Sequence, residues 1–183
     1  MTQAKRKLPL EKLLGRTMLV SWDRNRLDGE IVQLITAYHI TGVVINEQAW
    51  EQEKKLAQFT RYLQYYAGQN NPLLIATNLP TQAETALTEA TKLPPLQQLG
   101  EIDNRLYTRQ IAQIVAEEQR KLGVNMLIGP TVAANENDGM SFSGDIQKTA
   151  NHVVAMVQGI AKADVACAVT GITPVKDPLE RVD

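Results

Sequence analysis

Sulfur cross-links are the first thing this sequence does without. Its 183 residues include one cysteine, Cys167, which has no internal partner for a disulfide. Long hydrophobic runs are also absent. Nothing approaches the roughly 18 consecutive apolar residues of a membrane helix, so no span is expected. Neither sign of charge is in surplus: 19 Lys and Arg stand against 20 Asp and Glu, for a net charge of −1. Such a chain creates no long-range field to gather nucleic acid or an anionic membrane, and neither is expected as a partner. Two histidines and one cysteine without ligand spacing make no transition-metal site. The polar stretch 135–139 lacks the ligand pattern of a calcium loop. No Gly-x-Gly-x-x-Gly follows the first apolar run, where Val20-Ser-Trp-Asp-Arg-Asn25 stands instead, and no Walker sequence occurs. A glycine-rich phosphate cradle is therefore excluded, and no cofactor is expected. The opening residues 1–7 carry a basic cluster with no apolar segment behind it. We read no signal peptide and expect a cytoplasmic protein.

What remains is an ordinary globular composition, 44% hydrophobic and 21% charged, with a length suited to one domain over residues 1–183. Short apolar runs alternate with longer amphipathic ones. Residues 17–21 predict a strand. Ile31, Leu34, Ile35 and Tyr38 then fall at i, i+3, i+4 and i+7, one face of a helix. Val43-Val44-Ile45 is β-branched and continuous, as in a strand buried on both faces. Leu56, Phe59, Leu63 and Tyr66 predict a second helix, stopped by Gly68, and residues 73–77 a third strand. The stretch from Asn78 to Gly100, with Pro80, Pro94 and Pro95, reads as irregular. Leu106, Ile111, Ile114, Val115 and Leu122 predict the face of a long helix, with Gly123 where a C′ glycine belongs. Residues 125–129 predict a fourth strand. Asp145 is placed to cap a helix whose face carries Ala150, Val153, Val157 and Ile160, and residues 165–169 predict a fifth strand. About five such repeats predict an α/β fold with a parallel sheet, either doubly wound or part of a (β/α)8 barrel.

These segments, in this order, resemble the N-terminal barrel of glycoside hydrolase family three, in its β-N-acetylhexosaminidase branch. Leu10-Glu-Lys-Leu-Leu-Gly15 is similar to that family's opening helix, and Met18-Leu-Val-Ser-Trp-Asp23 to its first strand. Tyr38-His-Ile-Thr-Gly-Val-Val-Ile45, Leu73-Leu-Ile-Ala-Thr-Asn78 and Thr91-Lys-Leu-Pro-Pro95 resemble successive family stretches. So do Leu122-Gly-Val-Asn-Met126 with Pro130, and Ser141-Phe142 with Gly144-Asp145. The likeness runs from about residue 10 to about residue 170. It implies a partial TIM barrel, a sugar-cleaving relative and a possible carbohydrate ligand.

The resemblance fails at the positions that would carry chemistry. The family's Asp-x-Glu-Gly-Gly-Arg loop, whose Asp binds sugar hydroxyls, reads Asn78-Leu-Pro-Thr-Gln-Ala83 here. The arginine of the family's Arg-Ser-Phe is Met140, and its Lys-His pair falls on Val169 and Thr170. Residues 171–183 hold no histidine for the family's acid/base loop, and the nucleophilic Asp of the family lies beyond them. Asn78, Met140, Val169 and Thr170 are thus substituted substrate-binding positions, and no catalytic residue is expected. A retaining glycosidase needs both a nucleophile and an acid/base, and loss of the acid/base alone removes about 10²–10⁴ in rate. The expectation is a chain that does not hydrolyse glycosides by itself. Its alternatives are a non-catalytic carbohydrate-binding module and a structural subunit completed by a partner.

The remaining polar and aromatic residues read as scaffold. His39 precedes a strand and is expected to be structural. His152 lies mid-helix, where one exposed face would explain it. Cys167 in an apolar strand is expected to act as a small hydrophobe. Tyr62, Tyr65 and Tyr66 cluster near the end of the second helix, with Trp50 before its start. They are expected to cover the sheet, unless some face a partner. A barrel with five strands leaves two edges unpaired, and this predicts association with another copy or a partner chain.

Overall fold

The computed structural model describes residues 9–46, 50, 52–80, 91–134 and 141–171. Five strands alternate with helices: α1 (Leu10–Gly15), β1 (Leu19–Trp22), α2 (Gly29–Thr36), β2 (Gly42–Ile45), α3 (Glu53–Ala67), β3 (Leu74–Asn78), α4 (Leu96–Ile102), α5 (Arg105–Lys121), β4 (Met126–Thr131), α6 (Ile146–Lys162) and β5 (Ala166–Thr170). All four strand pairings are parallel, and the sheet order is β1-β2-β3-β4-β5. A doubly wound sheet reverses direction at a switch point, whereas this one adds each strand on the same side of the last. The order is that of a barrel wall.

Helix ends are set by local chemistry. The Asp28 carboxylate accepts the Glu30 and Ile31 amides at the start of α2, and Asn104 accepts the Tyr107 amide at the start of α5. Asp145 accepts the Lys148 amide at 2.7 Å, the cap predicted for α6. Gly68 after α3 and Gly123 after α5 both take positive φ, the left-handed exit that a Cβ disfavours.

Strand register sorts the sheet residues into two faces with different fates. Val20, Val43, Ile75 and Leu127 occupy one face, and Trp22 joins Ile45 on it. Apart from the half-buried Val20 they are sealed, in one core cluster with Ile31 and Ile35 of α2, Leu56, Phe59 and Leu63 of α3, Val115 of α5, and Met156 and Ile160 of α6. The other face holds Leu19 and Leu74 in one row. Ser21, Val44, Met126 and Ala166 form the next, and Asn78, Ile128 and Ala168 the last. Apart from the small Gly42 and Ala76, these side chains are exposed or half-buried.

Several sequence expectations need correction. The stretch read as irregular contains α4, whose Leu96, Leu99 and Gly100 are buried. Pro95 stands at its N-cap, where a missing amide costs nothing. On α5, Leu106 and Ile114 are 62% and 50% exposed, and the buried face is Thr108, Ala112, Val115, Ala116 and Gln119. The reason is close helix packing. A methyl group at Gly159 of α6 would run into the Arg109 carbonyl and Ala112 of α5, so the interface takes small residues and turns large ones outward. Ala150 is exposed, and α2 stops before Tyr38, which is exposed as well. His152 is not on an exposed face; it is fully buried. Trp50 is buried against Phe59, with ring centres 4.9 Å apart, while Tyr62, Tyr65 and Tyr66 lie on the surface rather than over the sheet.

Candidate functional site

In barrels of this kind ligands meet the carboxyl ends of the strands. Here β1 ends on Trp22, with Asp23 exposed beyond it; β3 ends on the exposed Asn78, β4 on Thr131 and β5 on Thr170. Backbone bonds lock these tips together: the Asn46 amide donates to the Trp22 carbonyl (3.1 Å), Leu79 to Ile128 (2.8 Å), and Val132 to Thr170 (2.8 Å). Asn78 is in register with Ile128, and Thr170 with Thr131, so both stand at the rim on strands flanking β4. Val169 is half-buried and packs against the helix-side core. Met140, like Ala83, lies outside the described residues.

Among the described residues, the rim is short of proton-transfer groups. Asp23 carries a carboxylate, but the tips of β2 to β5 offer Asn46, Asn78, Thr131 and Thr170. Amides and hydroxyls can hold a sugar by hydrogen bonds, yet they do not titrate near neutral pH and so make poor general acids or bases. The carboxylates at the end of the β1–α2 loop and the start of α2 are committed. Arg24 pairs with Asp28 at 2.7 Å and Glu30 at 2.9 Å, and its guanidinium lies 4.9 Å from the Trp22 ring centre. The Arg24 hydrogen bond holds the Asp28 carboxyl below its ordinary range, so it stays ionised and has no proton to give a leaving group. Asp145 serves α6 as its cap. No group of three or more His, Cys, Asp or Glu among the described residues could hold a metal.

The two histidines and the cysteine are buried or half-buried in the scaffold. His39 sits at φ 55° between α2 and β2; burial, then Lys12 and Arg16, push its imidazole below the usual histidine range. Cys167 donates from Sγ to the Gly129 carbonyl at 3.0 Å, and burial pushes its thiol up to about 11. Sequence reasoning missed a cluster on α4–α6. His152 Nδ1 lies 2.9 Å from Thr108 Oγ1, its Nε2 lies 3.2 Å from Asp103 Oδ1, and its ring stacks on Phe142 at 5.2 Å. Thr108 is fully buried, so this chain of groups joins three helices and offers substrate no nucleophile. No sequence signal marked this cluster, because Asp103 and Thr108 meet only through the imidazole that α6 supplies. No helix of the described residues is long and apolar enough to cross a membrane.

Known proteins place this architecture. No curated protein matches the chain. Among solved structures, a glycoside hydrolase family 3 β-N-acetylglucosaminidase from Paenibacillus superposes with a TM-score of 0.81 at 24% identity, over 90% of this chain and 33% of that one. A β-N-acetylhexosaminidase from Beutenbergia cavernae gives 0.79 at 20% identity, over 90% and 54%. NagZ from Neisseria gonorrhoeae, in complex with N-trifluoroacetyl-D-glucosamine, gives 0.75 at 18%, over 84% and 51%. The chain thus spans between a third and about half of their lengths. The family model described as the glycosyl hydrolase family 3 N terminal domain matches residues 10–170, and the chain belongs to that family.

Proposed function

We propose that these 183 residues are the scaffold of a β-N-acetylhexosaminidase-like domain that, as an isolated chain, does not hydrolyse glycosides. The observation that carries this reading is the rim itself: Asn78 and Thr170 stand where charged or acidic groups would be needed, and the carboxylates Asp28 and Glu30 are tied to Arg24. Retaining hydrolysis needs two carboxyl groups about 5–5.5 Å apart across the scissile bond. The test is a fluorogenic N-acetyl-β-glucosaminide assay on the purified chain. No turnover above the blank is expected. Turnover that disappears in Asn78→Ala would overturn the proposal. An amide-lined rim still suits an N-acetylated sugar, and calorimetry with N-acetylglucosamine reads that binding directly.

A second reading, that the chain works with another chain or copy against its sheet, rests on a separate observation. Leu19 and Met18 at the β1 edge are 40% and 52% exposed, and beside them Leu14, Val20, Leu34 and Ile40 line an apolar groove of about 350 Å³. Unpaired strand edges and apolar surface of this kind favour association. Sedimentation velocity at micromolar concentration should show a species larger than the monomer; a monodisperse monomer refutes it. The cytoplasm, where no disulfide would be needed, is the compartment we propose.

A further inference from the structure

A second concave surface lies away from the strand ends. On the outer side of the helical layer, where α4, α5 and α6 meet, a groove of about 780 Å³ opens. It ends near the close crossing of α5 and α6, where Gly159 meets the backbone of Arg109, itself a lining residue. Two features set it apart from an ordinary helix seam. Its apolar lining is exposed: Ile102, Leu106 and Val154 are 58%, 62% and 55% accessible, although a helical layer normally keeps such residues inside. It also holds Arg105 and Arg109, one turn apart on α5, and neither guanidinium has an ion pair or hydrogen bond among the described residues. Arg109 is half-buried in the groove. The groove's own carboxylate, Asp103, contacts His152 at 3.2 Å and Lys148 at 3.7 Å and makes no ion pair with either arginine.

From this combination we infer that the α4–α5–α6 groove is a docking site for an acidic amphipathic segment of a partner protein. The partner would set two carboxylates against Arg105 and Arg109 and lay apolar side chains on Ile102, Leu106 and Val154. The charge decides the occupant. In a chain with net charge −1, two arginines one turn apart, unpaired among the described residues and beside exposed leucine, isoleucine and valine, complement an anionic, apolar-striped peptide and repel a basic one. The open shape also favours a peptide laid along it, since small-molecule sites enclose most of their ligand. The inference is independent of whether the rim binds sugar.

Fluorescence anisotropy on the full chain tests it. The probe is a labelled peptide with leucine at i, i+3, i+4 and i+7 and glutamates one turn apart; its control carries lysine in place of glutamate. The glutamate peptide should bind and weaken steeply with added salt, while the lysine peptide should not bind. The double variant Arg105→Glu/Arg109→Glu should lose the glutamate peptide by about tenfold or more and gain the lysine peptide, a reversal that misfolding could not produce. Leu106→Ser should weaken the glutamate peptide without changing the charge preference. Failure of the glutamate peptide to bind would overturn the inference, as would equal binding of both peptides or full competition by polyglutamate lacking leucine. A self-associated species that Arg109→Glu dissociates would also overturn it, because it would assign the groove to a second copy of the chain.

Discussion

Truncating His152 to alanine should cost this fold about 3 kcal/mol. Its imidazole is 0% exposed and touches three helical elements. It stacks on Phe142 just ahead of α6, with an interplanar angle of 25°, meets the Thr108 hydroxyl of α5, and reaches Asp103 at the α4–α5 junction. Removing a buried ring costs the lost transfer free energy and leaves a cavity, together about 2–5 kcal/mol in large-to-small core substitutions. The loss of two hydrogen bonds adds about 0.5–1.5 kcal/mol each, less where the abandoned group keeps another partner. Thr108 keeps one, because its hydroxyl also donates to the Asn104 carbonyl at 3.3 Å, and Asp103 turns to solvent and Lys148. The sum stays near the lower middle of the cavity range. In a chain of this length, about 3 kcal/mol lowers Tm by roughly 6–12 °C. Urea unfolding followed by circular dichroism measures the loss, and a cycle with Thr108→Val should give a coupling of about 1 kcal/mol. A His152→Ala loss below about 0.5 kcal/mol, or no coupling to Thr108, refutes the buried placement of the ring.

Other perturbations test neighbouring parts of the argument. Gly100→Ala would drive a methyl group into the Phe142 backbone carbonyl, and should cost about 1–3 kcal/mol in urea unfolding; an unchanged midpoint would show that α4 does not pack there. The Cys167 thiol, pushed up to about 11 against an ordinary 9.0, holds about a hundredfold less thiolate near neutrality. Iodoacetamide should therefore label it slowly in the folded chain and quickly in urea, and equal rates would contradict its burial. The His152 hydrogen bond, followed by the Lys148 charge, holds Asp103 below the ordinary 3.8. Its folded pKa is depressed, so its contribution is present above about pH 4 and lost as pH falls through the folded value. Asp103→Asn should flatten that acid limb of the urea midpoint measured between about pH 2 and pH 6; an unaltered slope would remove Asp103 from the network.

The strands were legible because a parallel strand covered by helices is written as a short continuous apolar run, as in Val43-Val44-Ile45 and in Leu73 to Ala76. The caps were legible because a carboxylate or a glycine at a helix end does local work: Asp145 bonds an amide three residues on, and Gly123 takes φ 85°. Periodicity failed where a partner helix sets the rule. On α5 it selected Leu106 and Ile114, but the seam with Gly159 admits only small side chains, so bulk points outward. His152 read as a surface residue because its partners lie 44 and 49 residues away in sequence. At the rim, residue identities at Asn78 and Thr170 came through the family likeness, while their facing came only from the register.

That register also separates the positions that carry the scaffold from those at the rim. Neighbouring residues of one strand answer to different constraints. Thr77 is 0% exposed on the helix side of β3, in register with Leu127, so any change of size there meets packed atoms. Asn78, one residue on, faces away from the helices and is exposed, so exchange of a carboxylate for an amide at this position removes no core contact. The same parity puts Val169 among core residues and Thr170 at the rim. Packing stability is built on the helix side of the sheet, and the exposed strand ends face the other way. Substitutions at the rim can therefore leave the helix-side core intact. An Asn78→Asp variant should then unfold at the same urea concentration as the original chain, within about 0.5 kcal/mol of stability, as expected for an exposed position outside the core. A larger loss would mean that rim and core are energetically coupled and that the two faces do not vary independently.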